Sequence, residues 1–164
     1  MPVEMIEAHY PLCVESSGLL IDSGGPGNHR GGLGMFREYR FLTECEVSSA
    51  ALSGKTGPFG VCGGIPGGTY RFIISRDGKK MKKLASTCEG ETVSEGDLLR
   101  LETPGGGGWG NPAERDPESV RLDVCRGFVS PGAAGRIFRV SLKGKENPTV
   151  DGKKSAVLRT NSEN

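Results

Sequence analysis

Tyr70-Arg71-Phe72-Ile73-Ile74-Ser75-Arg76-Asp77-Gly78-Lys79-Lys80-Met81-Lys82-Lys83-Leu84-Ala85 is the stretch that sets the fold class. Tyr70 to Ser75 is rich in aromatic and β-branched residues, which pack well on a pleated sheet. Arg76-Asp77-Gly78-Lys79 supplies a tight turn, since Asp-Gly accepts the positive φ that a two-residue hairpin needs. Lys80 to Ala85 then returns. Strands joined by so short a link are antiparallel, because a parallel pair needs a crossover of a dozen residues or more.

The same texture extends outward. Glu91 to Val93 pairs nearby, and Leu98 to Thr103 is a further strand that ends at Pro104 and four glycines. Upstream, Leu12 to Glu15 and Gly18 to Asp22 read as two short strands, Met35 to Leu42 and Glu44 to Leu52 as two longer ones. Cys45, Val47 and Ser49 share one face. Val3 to His9 makes a short turn or helix, closed by Tyr10-Pro11 because the residue before proline disfavours the helical region. Two glycine-rich loops separate these strands, Ser23 to Gly34 and residues 53 to 68.

Beyond Pro112 the pattern changes. Asp116-Pro117-Glu118 is a helix start, with Asp as N-cap and Pro at the first helical position. Val120, Val124 and Cys125 form its apolar face, and Gly127 suits its end. Ile137 to Leu142 reads as a strand. Asp151 caps a last helix through Arg159, with Ala156, Val157 and Leu158 inside, before a frayed tail, Asn161 to Asn164. The expected fold is mainly β (α+β): an antiparallel, glycine-rich β unit over residues 1–112 and a small α/β appendage over 113–164, together one compact domain.

Bulk properties exclude several function classes. The 164 residues carry 21 basic and 20 acidic side chains, a net charge of +1. That balance gives no electrostatic case for nucleic acid or an anionic membrane. No long apolar run and no leader-like N-terminus occur. The five cysteines are widely spaced and contain no Cys-x-x-Cys pair. They read as reduced thiols, not zinc ligands, and the expected location is cytoplasmic. The chain holds 27 glycines and 10 prolines, clustered between apolar segments, which points to sharp loops and not to disorder.

Several motifs imitate known chemistry and lack its context. Ser53-Gly54-Lys55-Thr56 ends like a phosphate-binding loop, but Ser49 stands where the earlier glycine is needed and Gly57-Pro58 opposes a following helix. Gly25-Pro26-Gly27 with Gly31 has the wrong spacing for a dinucleotide fingerprint, Arg30 taking the third glycine's place. Asp22-Ser23-Gly24-Gly25 lacks the upstream glycine of a nucleophile elbow. Asp22 is expected to accept hydrogen bonds from the loop amides that follow it. His9 and His29 are the only histidines and have no fixed acidic partner in sequence. Gly105-Gly106-Gly107-Gly108-Trp109 is costly to order. It fits either a backbone packed near a ligand or partner, or a strand exit turning beneath Trp109.

An ordered series of motifs resembles the last part of the hydantoinase B-type family. It runs from Glu4-Met5-Ile6-Glu7 and Tyr10-Pro11-Leu12 through Asp22-Ser23-Gly24-Gly25-Pro26-Gly27, Arg30-Gly31-Gly32-Leu33-Gly34 and Arg37-Glu38-Tyr39. It continues through the Gly60 to Gly67 block, Gly96-Asp97, Thr103-Pro104 with the four glycines, Asn111-Pro112 and Glu114-Arg115-Asp116-Pro117-Glu118. That family includes the B-type subunits of hydantoinases, half of 5-oxoprolinase, and subunits of acetone and acetophenone carboxylases.

The resemblance implies a two-component enzyme. An A-type ATPase subunit activates the substrate, and the B-type subunit completes an amide hydrolysis or a carboxylation at a metal. It implies ATP/Mg in the partner subunit and the catalytic metal in an N-terminal part that this sequence lacks. No catalytic, cofactor or metal residue carries over to these residues. The family's Asp-Arg pair before the second glycine block is replaced by Ser53-Gly54-Lys55, and Met1 stands where the family's Asn-Thr-Pro-Val-Glu has threonine. A piece of a longer chain is therefore expected. Its partners would be an A-type subunit and the remainder of the B-type subunit, with self-association when isolated. Asp22, Arg30 and Arg37, with Gly105, Gly106, Gly107, Gly108 and Trp109, are the candidate loop or interface contacts. The alternative is a stand-alone, non-enzymatic β-rich binding module drawn from that family.

Overall fold

A computed structural model describes residues 1–52, 54–76, 80–144 and 147–160. The hairpin turn at 77–79, the tail at 161–164 and Ser53 lie outside the described residues.

A short helix α1 (Val3–His9) leads into β1 (Leu12–Leu19), β2 (Met35–Phe41), β3 (Cys45–Ala50), β4 (Arg71–Arg76), β5 (Lys80–Leu84), β6 (Thr87–Val93) and β7 (Leu98–Glu102). β1, β2, β7, β4 and β5 form one antiparallel sheet in that order. β3 and β6 pair separately and lie across one face of it. Alternation decides which side chains meet. Phe41, Phe72, Ile74 and Leu99 point inward from the large sheet and Val93 from the ribbon, and together they form the first core. Cys45 and Val47 are packed against that core and Ser49 is buried, as the shared face of β3 requires.

On the opposite face charges replace apolar groups. Arg100 spans Glu38 at 3.0 Å and Glu102 at 2.8 Å, and its guanidinium lies 3.9 Å over the Phe36 ring. Ser16 donates to Glu38 at 2.6 Å, and the hydroxyl and then Arg100 hold that carboxyl below its usual range.

The C-terminal segment has its own core. α2 (Pro117–Cys125), α3 (Pro131–Arg136), the ribbon β8 (Leu142–Lys143) with β9 (Thr149–Val150), and α4 (Gly152–Thr160) follow β7. Asp116 caps α2 by accepting the Ser119 amide at 2.9 Å, and Gly127 at φ +71° ends it. Val120, Val129, Ala134, Phe138 and Val140 fill the interior.

Five expectations change. The two short strands are one, β1, because Ser16 and Ser17 stay in the ladder and a bulge at Glu15 absorbs the irregularity. β6 is longer than Glu91–Val93 and pairs from Thr87. Ile137 to Leu142 is not a strand: Ile137 closes α3, and Arg139 at φ +56° breaks the extended run. Cys125 is exposed, so the buried face of α2 is Val120 with Asp123. Ala156, Val157 and Leu158 face outward. The hydrogen-bonding pair Asp151 and Ser155 turns inward instead, with Ser155 Oγ accepting the Ser141 amide at 2.9 Å.

Candidate functional site

The glycine loops do not splay into solvent. They lie against one another, backbone on backbone. The Gly25 amide donates to Gly106 O at 2.7 Å, Gly106 N to Gly32 O at 2.9 Å, and Gly108 N to Ile65 O at 3.0 Å. Ile65 N donates to Pro26 O at 2.8 Å, and Gly68 N to Ser23 O at 2.7 Å, so each of the three loops binds both others. Main-chain groups are obligatory hydrogen-bonding partners, and here they satisfy one another without a regular sheet.

This packing explains three of the four glycines in the run, Gly105, Gly107 and Gly108. A side-chain carbon on Gly107 would fall on the Phe59 carbonyl, and one on Gly108 on the Pro26 carbonyl. Gly106 differs, since the nearest atom to such a carbon is Gly32 N at 3.4 Å. Ser23, no nucleophile by its sequence context, ties the first loop. Its hydroxyl donates to Leu20 O at 2.7 Å and accepts the Gly34 amide at 2.8 Å.

Trp109 is not a lid over the run. It exchanges two backbone hydrogen bonds of 2.9 Å with His29, their rings 5.4 Å apart, and remains 49 % exposed. Phe59 at 80 %, Val61 and Ile65 are exposed on the neighbouring loop, and Val61 bridges to Trp109 directly. The bundle thus leaves Phe59, Val61, Ile65 and Trp109 exposed, with Val61 beside Trp109.

Arg30 and Asp22 join this bundle to the C-terminal segment. The buried carboxylate of Asp123 on α2 accepts from Arg30 Nε at 3.2 Å and from Arg115 Nη2 at 2.9 Å. Arg30 also donates to Gly31 O at 2.7 Å and lies 5.3 Å over the Phe128 ring; Arg115 reaches Asn28 O at 2.8 Å. Asp22, at φ +61°, accepts the Ser130 amide at 2.8 Å. The expectation that it would accept from its own loop is therefore corrected: Ser23 holds that loop, which frees Asp22 to bind across it. Arg37 sits apart on β2, in a cleft with Met35, Tyr39 and Leu101, and no hydrogen bond or ion pair of its side chain occurs among the described residues. Asp123 and Arg115 had no role on sequence grounds, lying 93 and 85 positions from Arg30 (123 − 30 and 115 − 30).

As a metal centre the arrangement does not fit. Among the described residues no three His, Cys, Asp or Glu side chains lie close enough to share an ion. His9 is engaged with Met5 O at 2.8 Å, and His29 lies against Trp109. Residues 54–60 form a loop without a following helix, so no phosphate cradle forms there. No described helix is long and apolar enough to cross a membrane.

Comparison with known proteins gives these features a context. The chain is 34 % identical over 159 residues to the B-type subunit of a putative D-/L-hydantoinase from a Pseudomonas species, covering 96 % of this chain and 26 % of that protein. The fold superposes on a nucleotide-free acetone carboxylase, a protein of ATP-dependent acetone carboxylation, with a TM-score of 0.88 at 22 % identity over 99 % of this chain. It also superposes on the ATP-dependent caprolactamase of Pseudomonas jessenii, with a TM-score of 0.84 at 25 % identity over 97 %. The chain spans 26 % to 28 % of the length of these proteins. The sequence model of the family described as Hydantoinase B/oxoprolinase matches residues 1–112, and the chain belongs to that family.

Proposed function

We propose that these residues act as the structural and subunit-contact part of a hydantoinase B-type polypeptide. The enzyme would be an ATP-dependent amide hydrolase or a related carboxylase. One observation carries this reading. A glycine bundle ordered by its own backbone presents Phe59, Val61, Ile65 and Trp109 to solvent, in a chain about a quarter as long as its relatives. Rigid, exposed apolar groups of this kind mark interaction surfaces. They bind without paying the ordering entropy of a loose glycine loop. The face would pack on the remainder of the B-type subunit, which would hold the catalytic metal. An A-type subunit would supply ATP and Mg. Arg30, Asp22 and the run Gly105 to Trp109 would keep the face in shape, and Arg37 would be a contact at the neighbouring cleft. The two cores favour a division near residue 112, with the C-terminal segment latched through Asp123.

The test is co-purification from the host with the chain as bait, followed by metal analysis and an ATP-dependent lactam and hydantoin hydrolysis assay. The expected outcome is a complex with a larger B-type polypeptide and an ATPase, with metal and activity in the complex alone. A chain that elutes folded and alone would overturn the reading and leave the stand-alone binding module.

A further inference from the structure

The C-terminal segment carries a surface that the glycine face does not use. Residues 126–160 contain eight Lys and Arg against two acidic residues, a net of +6 (8 − 2), although the whole chain carries only +1. Four of the eight, Arg136, Arg139, Lys153 and Lys154, line two adjoining clefts of about 620 Å3 and 330 Å3 that meet at Leu158. Pro131, Arg136 and Arg139 line the larger one, and Lys153, Lys154 and Val157 the smaller. Within them Leu158 is 40 % and Val157 59 % exposed. Glycine forms part of the wall as well, and a side-chain carbon on Gly135 would meet nothing within 4 Å.

Local acids offset these cations only in part, through the field of Asp151 at Lys154. Asp151 is already bound by Lys143 at 3.1 Å. Arg139 is turned toward the Leu158 carbonyl at 3.4 Å. Arg136, Lys153 and Lys154 make no ion pair among the described residues.

From this pattern we infer that the α3–α4 groove docks an acidic protein segment carrying apolar side chains, from another polypeptide of the assembly. The apolar floor decides the class of partner. A nucleic acid or a free phosphate group would use the cations and leave Val157 and Leu158 wet. An acidic segment with one or two apolar residues uses both, giving complementary charge at the rim and burial at the centre. The inference rests on the proposed contact role but concerns a different face, so the two can fail separately.

Zero-length carbodiimide coupling on the co-purified complex reads the contact directly, because it joins a lysine amine only to a carboxylate it touches. Cross-links from Lys153 or Lys154 to an Asp or Glu of another polypeptide are expected. The triple variant Arg136→Glu, Lys153→Glu, Lys154→Glu should lose them and bind about tenfold more weakly, with an unchanged melting temperature. A complex that forms with unchanged affinity and without such cross-links overturns the groove and leaves the glycine face standing. Binding to vesicles of phosphatidylserine and phosphatidylcholine that the triple variant abolishes, with no protein cross-link, overturns it in favour of a membrane surface. A chain that forms no complex at all overturns both readings.

Discussion

Gly107 has no room for a side chain, and Gly106 beside it does. A carbon on Gly107 would collide with the Phe59 carbonyl, between Pro58 and Val61, which are hydrogen-bonded into the bundle, whereas Gly106 opens onto ordinary contact distance. Gly107→Ala should therefore destabilise the chain by about 1–3 kcal/mol, the range of overpacking. Gly106→Ala should fall within about 0.5 kcal/mol of the parent. Urea unfolding with unchanged slope would distinguish them, and equal losses at both positions would contradict the packing described. Asp123 is the second critical residue. It is a buried anion shared by two guanidiniums, so Asp123→Ala leaves two partly buried cations without their partner. Such a loss costs about 3–5 kcal/mol. Arg30→Met should cost less, because Arg115 still holds the carboxylate. The glycine run, Arg30 and Asp22 stood out in the sequence, but the partner of Asp22, Ser130, did not. Asp123 was not, because its role depends on a contact between segments that no local pattern encodes.

Among the elements, legibility followed local signals. The β4–β5 pairing and the α2 cap could be read because Asp77-Gly78 and Asp116-Pro117 are short-range devices. α3 was hidden, since Gly132 and Gly135 dilute its helical tendency, although Ser130, which accepts the Ala133 amide at 3.1 Å, and Pro131 mark its start as Asp116-Pro117 marks that of α2. α4 was placed correctly but turned the wrong way. Its apolar triad suggested an inward face, while the polar pair Asp151 and Ser155 wins that face by satisfying the Ser141 amide. Ser155→Ala should therefore cost about 1–3 kcal/mol, the penalty for a stranded amide. Val157→Ser should stay within about 0.5 kcal/mol. Thermal melts of the two variants check the orientation, and the reverse order would place Val157 inside after all. Sheet edges are also managed at this scale. β5 carries Lys82 and Lys83 on one edge, and Glu7 from α1 accepts the Val14 amide at 2.8 Å on the other. Both devices discourage strand-to-strand association.

For the whole molecule, ionic contacts predict a response to acid. The Ser16 hydroxyl and Arg100 lower the pKa of Glu38, Lys82 lowers that of Glu91, and Lys143 that of Asp151. A carboxyl whose folded pKa is depressed binds protons less readily than in the unfolded chain. Its contribution is complete above the unfolded value, about 4, and is lost as pH falls through the lower folded value. The melting temperature should therefore fall on acidification below about pH 4 through these groups. A melting temperature independent of pH from 6 to 3 would show that these pairs contribute nothing. The glycine bundle, as a preformed contact face, should keep its shape when the chain assembles. Trp109 is the chain's single tryptophan and sits at the edge of that face, half exposed. Replacing it with 5-fluorotryptophan gives one fluorine resonance, to be followed as the co-purified B-type polypeptide is added back to the free chain. A sharp, solvent-sensitive signal in the free chain should move and lose its solvent isotope shift on assembly. A signal that stays solvent-sensitive in the assembled enzyme would contradict the contact face.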